Sequence, residues 1–139
     1  MQEKIIGIIE EYSEDGDFIG NISYDNLITV AEKELGFNIP SQYKWFIKNY
    51  GQGGIGAVQI LGISKANRAV FKDITLEYRN YGLSTNLIVV ENCDEWLYCI
   101  DINNGKIIAW DRISGVLGER YNTFLDFLAD RFNDEIENM

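Results

Sequence analysis

The fold of this chain is decided by residues 39–62, which read IPSQYKWFIKNYGQGGIGAVQILG. Four large apolar residues in this stretch recur at i, i+3, i+4 and i+7: Tyr43, Phe46, Ile47 and Tyr50. This spacing places all four on one face of a helix. Pro40 suits the first helical turn, where a missing N–H costs nothing, and Gly51 suits a left-handed cap. We therefore predict a helix that begins near Pro40 and ends near Gly51.

The same stretch continues through a glycine-rich turn into a second short apolar run. This run, Ala57-Val58-Gln59-Ile60-Leu61, is followed directly by Gly62. An apolar run of this length between glycines predicts a strand. The hydrophobic period thus changes from about 3.6 to 2 within one loop, which is typical of a helix–turn–strand unit. We expect this unit to form the core of the domain.

Amphipathic patterns elsewhere predict four more helices. Their apolar positions are Ile5, Ile8, Ile9 and Tyr12; Leu27, Val30, Ala31 and Leu35; Val70, Ile74, Tyr78 and Tyr81; and Phe124, Phe127, Leu128 and Phe132. Ser23 is placed to cap the second of these helices. Thr123 is placed to cap the last, with Asp126 in its first turn.

Three strands are predicted after the central unit. Residues 87–90 form an apolar run with high strand propensity. Residues 96–101 and 106–111 flank a turn that contains Asn104-Gly105, and Asn-Gly is the strongest short-range hairpin signal. The sequence therefore predicts an α+β fold in which helices flank a mostly antiparallel sheet. We expect a single domain over residues 1–139, with an N-terminal helix and acidic loop at 1–22 and a main body at 23–139.

The charge of the chain is strongly negative and unevenly distributed. The 139 residues carry a formal net charge of −10, yet residues 35–72 hold five bases and no acid. An acidic excess opposes binding to nucleic acid and to anionic lipid, and it steers association toward a basic partner. Solubility alone is the other interpretation of the same charge.

The sequence also predicts where the protein is found. No apolar run approaches the roughly 18 residues of a membrane-spanning helix. The N-terminus carries acids after a short apolar stretch and lacks the layout of a signal peptide. We therefore expect a cytoplasmic protein.

Motifs typical of catalytic sites are present, but the sequence around them does not fit catalysis. Gly51, Gly53 and Gly56 match G-x-G-x-x-G, but they follow a helix and lead into a predicted strand, which reverses the order of a dinucleotide site. The chain contains no histidine, so serine and cysteine lack their usual base. Asp101 and Asp111, at the ends of the predicted hairpin strands, could face each other as a catalytic pair. Solvated acids at strand ends are the favoured interpretation, and we do not expect an enzyme.

No cofactor or metal is expected either. Cys93 and Cys99 lie six residues apart without the further ligands that zinc needs. A disulfide between neighbouring strands is conceivable, but a cytosolic protein would keep both thiols reduced, and buried structural thiols are favoured. Asp101, Asn103 and Asp111 resemble part of a calcium loop, but the glycine comes one place early and no glutamate completes the loop.

The chain resembles the SUKH superfamily, which includes bacterial immunity proteins and yeast cell-wall regulators. The resemblance rests on order and spacing across most of residues 24–130. Its elements are the Ile-Pro helix opening with Tyr43-Lys44-Trp45-Phe46 and Tyr50, then Gly53-Gly54, Leu61-Gly62, Leu87-Ile88-Val89-Val90, Tyr98-Cys99-Ile100-Asp101, Ala109-Trp110-Asp111 and Phe124-Leu125-Asp126-Phe127-Leu128.

The resemblance implies a binding protein that neutralises a cognate toxin with a basic surface, such as a nuclease domain. An acidic surface would then block a basic cleft by imitating phosphates. The candidate contact residues are acids around the predicted hairpin: Glu91, Asp94, Glu95, Asp101 and Asp111. A regulatory scaffold domain related to the cell-wall regulators is the alternative.

Overall fold

The computed structural model describes residues 1–20 and 24–139, which form five α-helices and one four-stranded sheet. The helices are α1 (Gln2–Tyr12), α2 (Asp25–Leu35), α3 (Ser41–Tyr50), α4 (Val70–Arg79) and α5 (Phe124–Glu137). The strands are β1 (Leu87–Asn92), β2 (Leu97–Asp101), β3 (Ile107–Asp111) and β4 (Gly115–Tyr121). The predicted α+β class is confirmed. The predicted cap Ser23 lies outside the described residues.

The sheet is antiparallel throughout, with the strand order β1-β2-β3-β4. Across the predicted β2–β3 hairpin, Leu97 pairs with Trp110 and Ile100 with Ile107. Gly105 in its turn has a φ of 75°, a conformation that glycine adopts without steric cost. The hairpin prediction is confirmed.

The two faces of the sheet are covered by different helices, because successive strand residues point to opposite sides. On one face, Ile88, Ile100 and Ile107 join a core cluster that contains buried residues of α1, α2, α3 and α5. On the other face, Ile74 and Tyr78 of α4 pack against a second cluster. Its buried members are Leu83, Leu87, Val89, Leu97, Cys99, Ile108 and Trp110. Ile74 and Tyr78 of α4 thus cover the face of the sheet opposite to the one that the larger cluster covers.

Helix α3 lies at the centre of the larger cluster, as its spacing predicts. Tyr43, Phe46 and Ile47 have no exposed surface, and the Phe46 ring lies 6.0 Å from that of Phe124. The helix starts directly after Pro40 and ends before Gly51, as expected. The Tyr43 hydroxyl donates a 2.6 Å hydrogen bond to the Leu61 carbonyl, which fastens α3 to the end of the glycine-rich segment.

The strand predicted over residues 57–61 is wrong. Gly53 and Ile60 form an isolated bridge, with N–H···O distances of 3.1 and 2.8 Å, and the segment between them is a loop. A Cβ on Gly54 would lie 1.8 Å from the backbone oxygen of Val58, so only glycine allows the chain to fold back this closely. Val58 and Ile60 of this run are buried, whereas Ala57 and Gln59 are exposed, so burial alternates as it would in a strand. The Gly53–Ile60 bridge is isolated, so alternating burial alone does not make this run a strand.

Two helices present faces other than those predicted. In α2 the buried residues are Ile28, Ala31 and Leu35, whereas Val30 is 43% exposed. Both faces satisfy the helical period, so the sequence pattern could not choose between them.

In α4 the buried residues are Phe71 and Thr75, on a face adjacent to the predicted Val70, Ile74 and Tyr78. Ile74 and Tyr78 are partly buried beneath the sheet. The helix has two packing faces because it contacts both the sheet and the larger cluster.

Strand β4 was not predicted. It forms the open edge of the sheet, and its residues are exposed or half-buried along its whole length. Two register shifts against β3 and the positive φ values of Gly115 and Gly118 interrupt any alternation. Thr123 caps α5 as predicted, accepting a 3.1 Å hydrogen bond from the Asp126 N–H.

Candidate functional site

Glu91 is the one candidate acid that the structure buries. Its exposed fraction is 3%, and its side chain faces α5. A bulge in β1 explains this orientation, because Val89 pairs with Cys99 whereas Glu91 pairs with Tyr98. Strict alternation would have placed Glu91 on the same face as Val89. The bulge moves it to the face of Tyr98, so Glu91 does not belong to an exposed acidic surface.

Arg131 of α5 neutralises this buried carboxylate. Its Nε–H and Nη2–H donate hydrogen bonds of 2.9 and 2.6 Å to the two oxygens of Glu91. The guanidinium also lies 5.4 Å from the centroid of the Tyr98 ring. Hydrogen bonding to Glu91 raises the pKa of Arg131 above its usual value. The pair is a structural link between the sheet and α5.

Asp101 and Asp111 do not face each other, contrary to the catalytic-pair alternative. They end β2 and β3, which run in opposite directions, so about five residues of strand, roughly 16 Å, separate them along the hairpin. Asp101 Oδ1 accepts hydrogen bonds from the Asn103 N–H at 2.9 Å and from Asn86 Nδ2 at 3.0 Å. Asp101 therefore stabilises the β2–β3 turn and lies away from the other acids.

The remaining acids, Asp94, Glu95 and Asp111, meet at the opposite end of the sheet. Asp94 and Glu95 lie in the β1–β2 turn and are exposed. Asp94 has a φ of 68°, and its N–H donates a 2.9 Å hydrogen bond to Asn92 Oδ1. Asp111 Oδ1 accepts hydrogen bonds from two N–H groups of the β3–β4 turn, at 3.0 and 2.6 Å. Among the described residues, none of these three acids takes part in a salt bridge.

These acids line a cleft of about 490 Å³ between α4 and the two turns. We name it the sheet-end cleft. It is lined by Tyr78, Asp94, Glu95, Trp96, Leu97, Trp110, Asp111, Arg112 and Ile113. The cleft combines a buried apolar base with an acidic rim.

Aromatic rings form one side of the sheet-end cleft. The Tyr78 ring meets the Trp110 ring edge to face at 5.9 Å, and it meets the Tyr81 ring at the same centroid distance. The guanidinium of Arg112 lies 3.7 Å from the centroid of the Tyr81 ring. Trp96, on the opposite turn, is half-buried. The site thus offers π faces next to carboxylates.

Exposed apolar side chains next to the cleft were missed by the sequence reasoning. Ile113 in the β3–β4 turn is 97% exposed, and Val116 and Leu117 of β4 are 60% and 40% exposed. These three apolar residues lie within five positions of one another in the sequence, in and directly after the turn that carries part of the cleft lining. The sequence alone contained little indication of this exposure. The segment Ile113-Ser114-Gly115-Val116-Leu117 is recognisable as a hairpin turn only once strand β4 is known.

Both cysteines are free thiols, as favoured. Burial, followed by the negative charge of Glu91, raises the pKa of Cys93 to about 12, and burial alone raises the pKa of Cys99 to about 12. A high thiol pKa opposes nucleophilic use. Within residues 1–20 and 24–139, no three His, Cys, Asp or Glu residues are grouped so that they could hold a metal ion. Nor does any helix in these ranges combine the length and apolarity needed to cross a bilayer.

Comparison with known proteins finds a matching family model and solved structures similar to this chain. The family model SUKH_5, described as SMI1-KNR4 cell-wall, matches residues 3–133. The crystal structure of a protein from Pseudomonas syringae pv. tomato is similar to this chain with a TM-score of 0.77. The match covers 96% of this chain and 99% of that one at 18% sequence identity. At this identity the structural likeness concerns the fold alone.

Proposed function

Because this chain belongs to the SMI1-KNR4 family of the SUKH superfamily, we propose that it is a binding protein without catalytic activity, an immunity protein that neutralises a cognate toxin. The toxin would present a basic surface, as nuclease domains do, and the two proteins would bind directly. The protein would act in the cytoplasm, where such a toxin meets nucleic acid.

The observation that supports this proposal is the composition of the sheet end. Exposed Asp94 and Glu95 lie on one turn and exposed Ile113 lies on the facing turn, on opposite sides of one cleft. Protein interfaces combine an apolar centre with a polar rim, and complementary charge raises the rate of encounter. The net charge of −10 adds long-range attraction for a basic partner.

The first experiment is co-expression with the product of the adjacent gene, followed by co-purification and growth rescue. We expect the neighbour to be toxic alone, rescued by this protein and recovered bound to it. A toxic neighbour that is neither rescued nor bound would contradict the proposal. So would a neighbour that is not toxic at all.

A second experiment tests the binding surface. In the D94N/E95Q variant we expect association with the toxin to slow and to depend less on salt, because two steering charges are lost. Asparagine also tolerates the positive φ of position 94, so the turn is retained. The matched control is E10Q/E11Q on α1, which removes two exposed charges elsewhere and leaves only the general effect of net charge. If both variants slow association equally, the sheet end is not the binding surface, whereas the toxin-binding role itself is not contradicted.

The alternative function is a regulatory scaffold domain. It is favoured by the description of the matching family model, which refers to the cell wall. A scaffold would bind a protein that is harmless when expressed alone, so the growth assay distinguishes the two functions.

A further inference from the structure

We propose that the sheet-end cleft binds the side chain of an arginine that the partner protein presents. This inference rests on the proposed function, since it specifies which group of a basic partner is recognised and where. It commits the cleft to a guanidinium group.

Charge is the first reason. Three carboxylates, those of Asp94, Glu95 and Asp111, line the cleft with one base, Arg112. The Oδ1 atom of Asp111 is used by the β3–β4 turn, whereas Asp94 and Glu95 are exposed and form no salt bridge with the described residues. A cation entering the cleft therefore meets carboxylates that need not first release another partner. A carboxylate accepts a guanidinium through two parallel hydrogen bonds.

The aromatic rings are the second reason. Arg112 already stacks on Tyr81 at 3.7 Å, so a guanidinium of this chain occupies a π face beside the cleft. The half-buried Tyr78, whose ring lies edge to face with the buried Trp110, extends the aromatic surface inward, and Trp96 adds a half-buried ring on the other side. A planar guanidinium can stack on such rings and bond a carboxylate at its edge at the same time. A lysine ammonium cannot do both equally well.

Size is the third reason. At about 490 Å³ the cleft falls within the roughly 300–1,000 Å³ of small-molecule sites. One extended side chain and its backbone fit such a volume. The exposed Ile113 stands at the rim, where the partner's apolar residues around the arginine would cover it.

The test uses N-acetyl-arginine amide as the probe and the tryptophan indole N–H resonances as the readout. The chain has three tryptophans, of which Trp96 and Trp110 line the cleft and Trp45 lies on α3. We expect saturable shifts of the Trp96 and Trp110 resonances with little change at Trp45. The neutral isostere N-acetyl-citrulline amide should give no saturable shift, and N-acetyl-lysine amide should bind more weakly.

Two variants with opposite expected effects sharpen the test. The D94N/E95Q variant should bind the arginine probe with an affinity lower by about tenfold or more, since charge-assisted contacts are lost. The R112Q variant should bind the probe more tightly, because the competing cation of the cleft is removed. The E10Q/E11Q variant should bind the probe with the affinity of the parent protein. Shifts of all three tryptophans together, no saturation, or equal weakening by both acid-removing variants would overturn the inference.

These outcomes remain separate from the outcome of the toxin experiment. If the neighbouring gene product is not toxic but the probe binds as described, the immunity role is wrong and the arginine cleft stands. If rescue occurs but the probe does not bind, the immunity role stands and the arginine cleft is wrong.

Discussion

Glu91 and Arg131, which are 40 residues apart in the chain, form a two-point ion pair that joins β1 to α5. The carboxylate is 4% exposed and the guanidinium side chain is 19% exposed. This pair removes from the acidic surface the only candidate acid that lies inside a strand rather than at its end. It also makes a specific prediction about stability.

We expect E91Q to lower the free energy of unfolding by about 2–3 kcal/mol. This is slightly less than the roughly 3–5 kcal/mol for a fully buried pair, because Arg131 retains contact with water. The matched control is E119Q, whose carboxylate pairs with Lys106 at 3.1 Å on the exposed side of the sheet. We expect a loss below about 1 kcal/mol there. Denaturant unfolding measures the loss of stability in both variants. Equal losses would show that the buried Glu91–Arg131 pair contributes no more than an exposed salt bridge.

The central position of Phe46 gives a second prediction. Phe46 has no exposed surface and packs against Phe18 and Phe124. We expect F46A to cost about 3–5 kcal/mol, through lost burial and a cavity. The comparison is I113A, at a position 97% exposed, which should stay within about 0.5 kcal/mol of the parent. A loss of less than about 1 kcal/mol for F46A would contradict the role of α3 as the core helix.

A buried hydroxyl gives the third prediction. Thr75 is fully buried, and its Oγ1 donates to the Phe71 carbonyl at 2.7 Å and accepts from the Val89 N–H at 3.0 Å. Valine has nearly the same shape but leaves that N–H without its acceptor, so T75V should cost about 1–3 kcal/mol. The control T29V removes an exposed hydroxyl that donates to its own helix, and we expect a much smaller change. If the two variants match in thermal unfolding, the Thr75–Val89 bond contributes nothing measurable.

The thiols give a prediction about pH. The pKa of each cysteine is raised from 9.0 to about 12 in the folded protein, so the unfolded chain loses its thiol protons first as the pH rises. This contribution to stability is complete below pH 9 and is lost between about pH 9 and 12. We expect the difference in unfolding free energy between the parent and C93A/C99A to change in that window and to stay constant below it. Ellman's reagent at pH 8 should label neither thiol until the protein is denatured.

The sequence by itself determined the elements that depend on neighbouring residues. Four features follow from side chains within a few positions of one another: the buried face of α3, its start at Pro40, the Asn-Gly hairpin and the Thr123 cap. Such local preferences act before the rest of the chain is in place, and the structure agrees with each of them. The α+β class follows from the order of these elements.

Only the tertiary structure decided which residues meet at the candidate site. The bulge that moves Glu91 inward depends on the pairing of β1 with β2, and Arg131 comes from a helix 40 residues further along the chain. Two turns and α4 bring Asp94, Glu95 and Asp111 to one cleft. These are contacts between segments that are distant in the sequence. Hydrophobic periodicity shows which residues of one helix or strand share a face, but it does not show which other segment packs against that face.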